Sequence, residues 1–593
     1  MKPLFRNLFP VALIALSVSA LAQNDDIYNE NVIVTGSYKP VLENHQKINV
    51  QPTIVDTATQ LQHSFNYKIN PTRMSSFYEP SRIKAANVIG EPKTRLYNNY
   101  IRLGFGNYWT PLVDAFFNST TSKHLNYGAS VSHLSSWGTL GDKDDPVSYY
   151  GSNQNSLTTV SGFGKYIYKE KLQFAADLKY QNDYNLYYGF NDNMLNTVGL
   201  TSGDISKKDY RACYNYAGLN LGVKKIAAGG WGYNAQVNFA DLWSSYNRNE
   251  MNLNIDGTIS HKINLGKKLQ PTAALRLQLG HFWQHFSPET MPLGYVSATG
   301  LPSSIDTAKG FFSFNPNLSA AISGFQLHAG LTGAFDYFTD PRDMAFYIFP
   351  DITVTRNFFR ESLGLTLGAV GNVAPVSWNA IRLKNPYTMP DAESRLTRHY
   401  DFFAQARYSI TRKLQFNLKA SYNLWYDYLA FMLADNYMLN NVFQPKYECF
   451  NQWVFRGDVA FVNDEMIAIE LGGTYYKGKG LEPDTLPGLY HPSFDAHLNI
   501  HVNYHDKILV HLQGLVLSKM NAAFEYDAAS QSYQTTATVP MRYGVNLEVE
   551  YRHSKALSFF LKADNLAFQR YYYWQNYPSP KALFIGGLTY TIH

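Results

Sequence analysis

The sequence predicts an all-β protein, a transmembrane antiparallel β-barrel of about 22 strands with a short N-terminal periplasmic or lumenal segment. Three observations predict it. The chain opens with an export signal, no later stretch is long and apolar enough to cross a bilayer as a helix, and a two-residue hydrophobic period recurs up to the C-terminus. A chain that enters lipid without spanning helices has to close into a ring, because helices and closed barrels alone satisfy every backbone polar group there.

The signal covers residues 1–22. Lys2 and Arg6 supply a positive start, Leu8 to Leu21 is apolar, and Ala20-Leu21-Ala22 fits a small-residue cleavage site, so the mature chain is expected to begin at Gln23. The apolar run is shorter than the ~20 residues of a spanning helix, which favours a cleaved signal over an anchor. Residues 23–95 form an N-terminal segment, and the barrel is expected over residues 96–593.

Composition supports the barrel. The 593 residues include 45 Tyr, 37 Phe and 9 Trp, as expected when lipid-facing and interior residues alternate between two aromatic girdles. A soluble all-β chain of this length would divide into several domains, and no linker follows the first hundred residues. The formal charge of +5 is small for the length and points to no nucleic acid or other polyanion. Cys213 and Cys449 are far apart in sequence and form no CxxC pair, so two unpaired thiols are expected and no metal site.

The strands are read from parity. Leu414, Phe416, Leu418, Ala420, Tyr422 and Leu424 alternate with Gln415, Asn417, Lys419, Ser421 and Asn423; the first set is assigned to lipid and the second to the wet interior. The same division separates Phe174, Leu178 and Tyr180 from Gln173, Asp177 and Lys179, Ile500 and Val502 from His497, His501 and His505, and Leu547 and Val549 from Glu548 and Glu550. Tight polar connections at Lys169-Glu170-Lys171, Asn463-Asp464-Glu465, His505-Asp506-Lys507 and His553-Ser554-Lys555 read as periplasmic turns. Longer stretches, Gly138 to Ser156, Tyr188 to Lys208, Ser287 to Lys309, Ser377 to Arg398, Leu429 to Tyr447, Lys477 to Ser493 and Tyr526 to Thr538, read as extracellular loops. A ring of about 22 staves is wide enough to need a plug.

Catalytic motifs are missing. Gly162-Phe163-Gly164-Lys165-Tyr166 has Thr159 where a phosphate loop needs its first glycine and Tyr166 in place of Ser or Thr, so the phosphate cradle is absent. Asp177, Glu548 and Glu550 are interspersed with Lys179 and Arg552, the pattern of a charged channel wall. No Ser/His/Asp set has a hydrolase elbow, and the chain reads as no enzyme and without a cofactor. A hairpin turning at Asp506 would place His501 opposite His511, within ~5 Å across strands; the pair can be read as a weak metal site, and more simply as polar interior residues. Tyr571, Tyr572, Tyr573 and Trp574 are candidate ligand-loop aromatics, with girdle anchoring as the simpler reading.

Two stretches give the sequence a family likeness. Lys562-Ala563-Asp564-Asn565-Leu566, then Arg570-Tyr571-Tyr572-Tyr573-Trp574 and Tyr577-Pro578, followed by a closing strand from Leu583 to Ile592, resembles the C-terminal end of TonB-dependent receptors. The segment Asn31 to Ser37, with Val32, Ile33, Val34, Thr35 and Gly36, is similar to the short extended stretch that opens the family's plug region. The resemblance implies a multi-pass outer-membrane receptor of a Gram-negative bacterium that takes up a nutrient ligand and engages TonB. It also implies a folded plug of well over a hundred residues, where this sequence offers only Gln23 to Arg95, a reduced plug or lumen-threading segment. The alternative is a plugless barrel, acting as a passive channel or as a structural partner closed by its own loops or by a surface lipoprotein.

Overall fold

The computed structural model describes residues 99–592 apart from segments 120–121, 139, 141–152, 202, 267–268, 289–290, 294–303, 338–343, 436, 464–465, 482–487 and 528–531. The expected signal, the Gln23 to Arg95 segment with Val32 to Gly36, and parts of several predicted loops lie outside the described residues.

Twenty-two strands form one closed antiparallel sheet, matching the strand number read from parity. Each strand pairs with its neighbours in sequence, and the first, Asn99–Gly106, pairs with the last, Leu583–Ile592, from Asn99 opposite Ile592 to Gly106 opposite Ile585. This seam is built around glycine. A Cβ on Gly587 would meet the carbonyl of Leu103 and the ring of Phe560, and one on Gly104 would lie 2.9 Å from that same ring. The bare backbone lets Phe560 lie across the seam, with the Arg102 guanidinium 3.8 Å from its centroid.

Side chains alternate as the period of two requires. Leu178, Leu367 and Leu418 project from the outer wall at 60%, 62% and 58% exposure, an apolar surface suited to lipid and to no aqueous environment. The intervening residues turn inward: Asn423, Gln405 and Lys562 are buried, and Lys419 bonds Asp401 at 2.8 Å. The Gly162–Tyr166 stretch lies within the strand Asn155–Tyr168. Cys213 and Cys449 are both half-buried and form no disulfide with each other.

Connections at one end are short. Residues 169–171, 505–507 and 553–556 turn tightly between strands, and Lys169 and Glu170, like His505 and Asp506, take φ near +50°, the left-handed pair that matches a hairpin turn to the twist of its strands. Most connections at the other end are long, with short ones at 107–109 and 245–247.

The predicted long loops hold more structure than their composition suggested. Tyr188 to Lys208 contains a short helix, α1 (Asp192–Thr197), and Ser377 to Arg398 contains α2 (Trp378–Lys384). The stretch assigned to a loop at Tyr526 to Thr538 belongs to a hairpin of Met520–Asp527 with Ser532–Val539 that stands apart from the barrel sheet. The strands Leu414–Leu433 and Phe443–Asn463 reach well into the region read as loop from Leu429 to Tyr447. At ~3.3 Å per residue a 20-residue strand exceeds any bilayer thickness; its outer end serves the mouth of the barrel.

Candidate functional site

The largest apolar core lies at the mouth, on the side of the long connections. Leu186, Tyr187, Phe190, Trp378, Ile381, Tyr437, Phe443, Tyr490, Trp574 and Tyr577 all take part and are all buried. Residues from connections spread around the ring meet here: Tyr387 stacks on Tyr577 with centroids 3.7 Å apart, Tyr188 packs edge-on against Tyr577, and Tyr490 sits 4.6 Å from Trp574. Hydrogen bonds cross the same region, from the Tyr188 hydroxyl to the Pro578 carbonyl at 2.9 Å and from Tyr577 to the Asn441 carbonyl. These loops pack on one another across the mouth as a stopper of side chains from several connections.

The centre of the stopper is the connection Ser377 to Ser394. Ser377 caps α2, its hydroxyl accepting from the Ala380 N–H at 3.2 Å, as Ser at an N-cap does. The first turn is held from the wall. Glu250, fully buried on the strand Arg248–Lys262, accepts from the Trp378 N–H at 2.6 Å and the Asn379 N–H at 3.3 Å, a carboxylate at the positive end of a helix. Gln284 Nε2 also donates to Glu250, at 2.6 Å, and Asn252 Nδ2 at 3.2 Å.

The far side of α2 carries two cations. Arg382 bonds Asp183 at 3.4 Å, and its guanidinium lies 5.1 Å from the Tyr214 ring. Lys384 donates to the Leu429 carbonyl at 2.5 Å and stands 4.4 Å from the centroid of Tyr428. Burial pushes the Lys384 amine down to about 7, against the opposing pull of the Glu448 carboxylate; the Arg382 guanidinium is lowered by the same cause. His491, in the connection between the strands Ile467–Gly480 and Phe494–Tyr504, is driven by burial down to about 4. Beyond α2 the segment runs beside Phe443 as a single parallel bridge, the Met389 N–H donating to the Phe443 carbonyl at 2.8 Å and the Phe443 N–H to the Tyr387 carbonyl at 2.9 Å. Arg248 and Lys309 then donate to the carbonyls of Ala392 and Ser394, at 3.4 and 2.9 Å.

Tyr571, Tyr573 and Trp574 are buried in this core and Tyr572 is half-buried. The Tyr571 and Tyr573 hydroxyls lie 2.9 Å apart, with Arg542 under both rings. Burial follows from the loop's course: Tyr572–Trp574 and Tyr577–Pro578 pair as a small hairpin that folds over the mouth, turning the rings toward the other loops.

His501 and His511 stand directly opposite each other, as the turn at Asp506 required, with centroids 4.1 Å apart and planes 15° from parallel. Face-to-face rings direct their in-plane lone pairs side by side and converge on no common ion. Among the described residues no group of three or more His, Cys, Asp or Glu could hold a metal. Of the interior carboxylates, Glu548 pairs with Arg102 at 2.5 Å, Glu550 lies 3.8 Å from Arg552, and Asp177 accepts from Asn220. Each is tied into a charged wall.

Sequence reasoning missed Glu250, Asp183, Arg248 and Arg382. The available signal was apolar residues where a solvated loop has no use for them, Tyr187, Phe190, Trp378 and Ile381 foremost.

No protein-family model matches the chain, and no curated protein matches it by sequence. Solved structures do match. The ferric-catecholate import receptor Fiu of E. coli K12, in its closed form, superposes with a TM-score of 0.60 at 10% identity, covering 84% of this chain and 82% of that one. The siderophore receptor PirA of Acinetobacter baumannii gives 0.61 at 12% identity over 85% and 81%. The ferric enterobactin receptor PfeA of Pseudomonas aeruginosa, in complex with enterobactin, gives 0.61 at 13% over 84% and 81%. At such identities the likeness is one of fold. The chain has the barrel fold of the TonB-dependent receptors, and the structures like it are transport receptors rather than enzymes.

Proposed function

We propose that this protein is an outer-membrane uptake receptor of the TonB-dependent type, admitting a nutrient too large for general porins. One observation carries the reading. A 22-stranded barrel with a charged inner wall carries outer loops that pack together in one apolar core at its mouth, an arrangement that suits gated entry better than an open pore. The solved receptors of like fold support import as the task. In this reading the stopper opens to ligand from outside, and Gln23 to Arg95 forms the inner gate on which TonB acts.

Planar-bilayer conductance together with antibiotic sensitivity tests it. The unmodified barrel is expected to be electrically silent. Cells carrying a barrel with Ser377–Ser394 replaced by a Gly/Ser linker and Gln23–Arg95 removed are expected to become sensitive to large antibiotics. A large constant conductance of the unmodified barrel would overturn gated uptake in favour of a passive channel.

A further inference from the structure

We propose that the mouth is a peptide-binding site occupied by the protein's own Ser377–Ser394 segment, and that the external ligand is a peptide or peptide-like molecule with a basic side chain, which displaces it. The inference rests on the uptake reading and names its ligand class.

Any buried loop has its backbone polar groups satisfied, so their satisfaction alone decides nothing. The identity of the partners does. The segment's backbone is read by side chains of wall strands and of the surrounding loops. Glu250 accepts two successive N–H groups, the Tyr187 hydroxyl donates to the Thr388 carbonyl at 2.8 Å, and Arg248 and Lys309 donate to carbonyls further along. Between these contacts Phe443 adds one parallel bridge of two main-chain hydrogen bonds, the kind of contact by which a sheet edge takes up an extended peptide.

The side chains follow the same logic. Trp378 and Ile381 are fully buried anchors. The basic residue Arg382 meets an acidic wall residue, Asp183. A wall bearing a carboxylate for N–H groups, cations for C=O groups and an acid for the Arg382 side chain complements a peptide backbone and one basic side chain. It would hold a sugar or a lipid chain poorly. Tethering gives the resident segment an effective concentration in the millimolar range, so a free ligand enters only by competing with it, and the closed state is the default.

The experiment uses a fluorescent peptide with the sequence of Ser377–Ser394 and the full-length barrel in lipid nanodiscs. Polarisation is read on the wild type, on a variant with that segment replaced by a Gly/Ser linker of equal length, and on Arg382→Ala/Lys384→Ala with the segment in place. Removing or weakening the resident competitor is expected to tighten peptide binding at least about tenfold over wild type. Adding Asp183→Asn to the linker variant is expected to weaken it again by about fivefold, and a peptide with alanine in place of both basic residues is expected to bind correspondingly less well. Should the linker variant misfold, the double variant carries the comparison. A folded variant that binds the peptide no tighter than wild type overturns the inference, and gated uptake then stands or falls on conductance alone.

Discussion

Glu250→Gln isolates the hold on α2 with almost no change in shape. Each carboxylate oxygen receives two donors, Oε2 from the Trp378 N–H and Gln284, and Oε1 from the Asn379 N–H and Asn252. An amide replaces one oxygen by NH2, so whichever way it flips, two buried donors face another donor. Each unsatisfied group costs about 1–3 kcal/mol, and losing the charge at the helix N-terminus adds about 0.3–1 kcal/mol. The sum, about 2–7 kcal/mol, corresponds to roughly a 10²- to 10⁵-fold rise in the open population of the stopper. Amide hydrogen exchange read by mass spectrometry is the assay: residues 377–394 are expected to exchange faster by that factor, while the wall strands keep their protection. Exchange within a few-fold of wild type would refute the claim that Glu250 holds the segment in place. Loss of protection throughout the barrel would show instead that the stopper and the wall are one cooperative unit.

Two further outcomes follow from the same geometry. The Lys384 amine drops from its ordinary 10.5 to about 7 on burial, so the open state binds more protons than the closed one between those values. Closure therefore strengthens as pH rises from about 7 toward 10.5 and is at its weakest below 7; near-UV circular dichroism melts of the stopper are expected at higher temperature at pH 9 than at pH 7, and an equal pH response in Lys384→Met would refute the assignment. On the outer wall, Leu418→Arg is expected to destabilise the folded barrel in urea titrations by about 2–4 kcal/mol if it lies near the bilayer midplane; no loss would contradict the assignment of that face to lipid.

The barrel was legible because its determinants are local. Lipid outside and water inside impose a period of two on every strand, and Leu414 to Leu424 displays it without reference to the rest of the chain. The placement of His501 against His511 was equally local, fixed by a turn five residues away from each. The stopper was not legible, because its contacts join residues such as Arg382 and Asp183, 199 positions apart in sequence, and Tyr577 and Asn441, 136 apart. Its sequence carries proline, asparagine and charge like any solvated loop, and only the ring, once closed, brings those loops together. Tyr571, Tyr573 and Trp574 show the same limit: their chemistry was visible, but the direction they face is set by other loops, as Phe443 and Tyr490 do for Trp574.

The glycine-lined seam between Asn99–Gly106 and Leu583–Ile592 bears on how the ring closes. Asn99–Gly106 and Leu583–Ile592 pair across nearly the full span of the sheet in sequence, so neither of these two edges is satisfied until the ring closes on itself. Closure is thereby made conditional on one pairing: without Leu583–Ile592, both Asn99–Gly106 and Leu557–Asp564 are left as bare sheet edges.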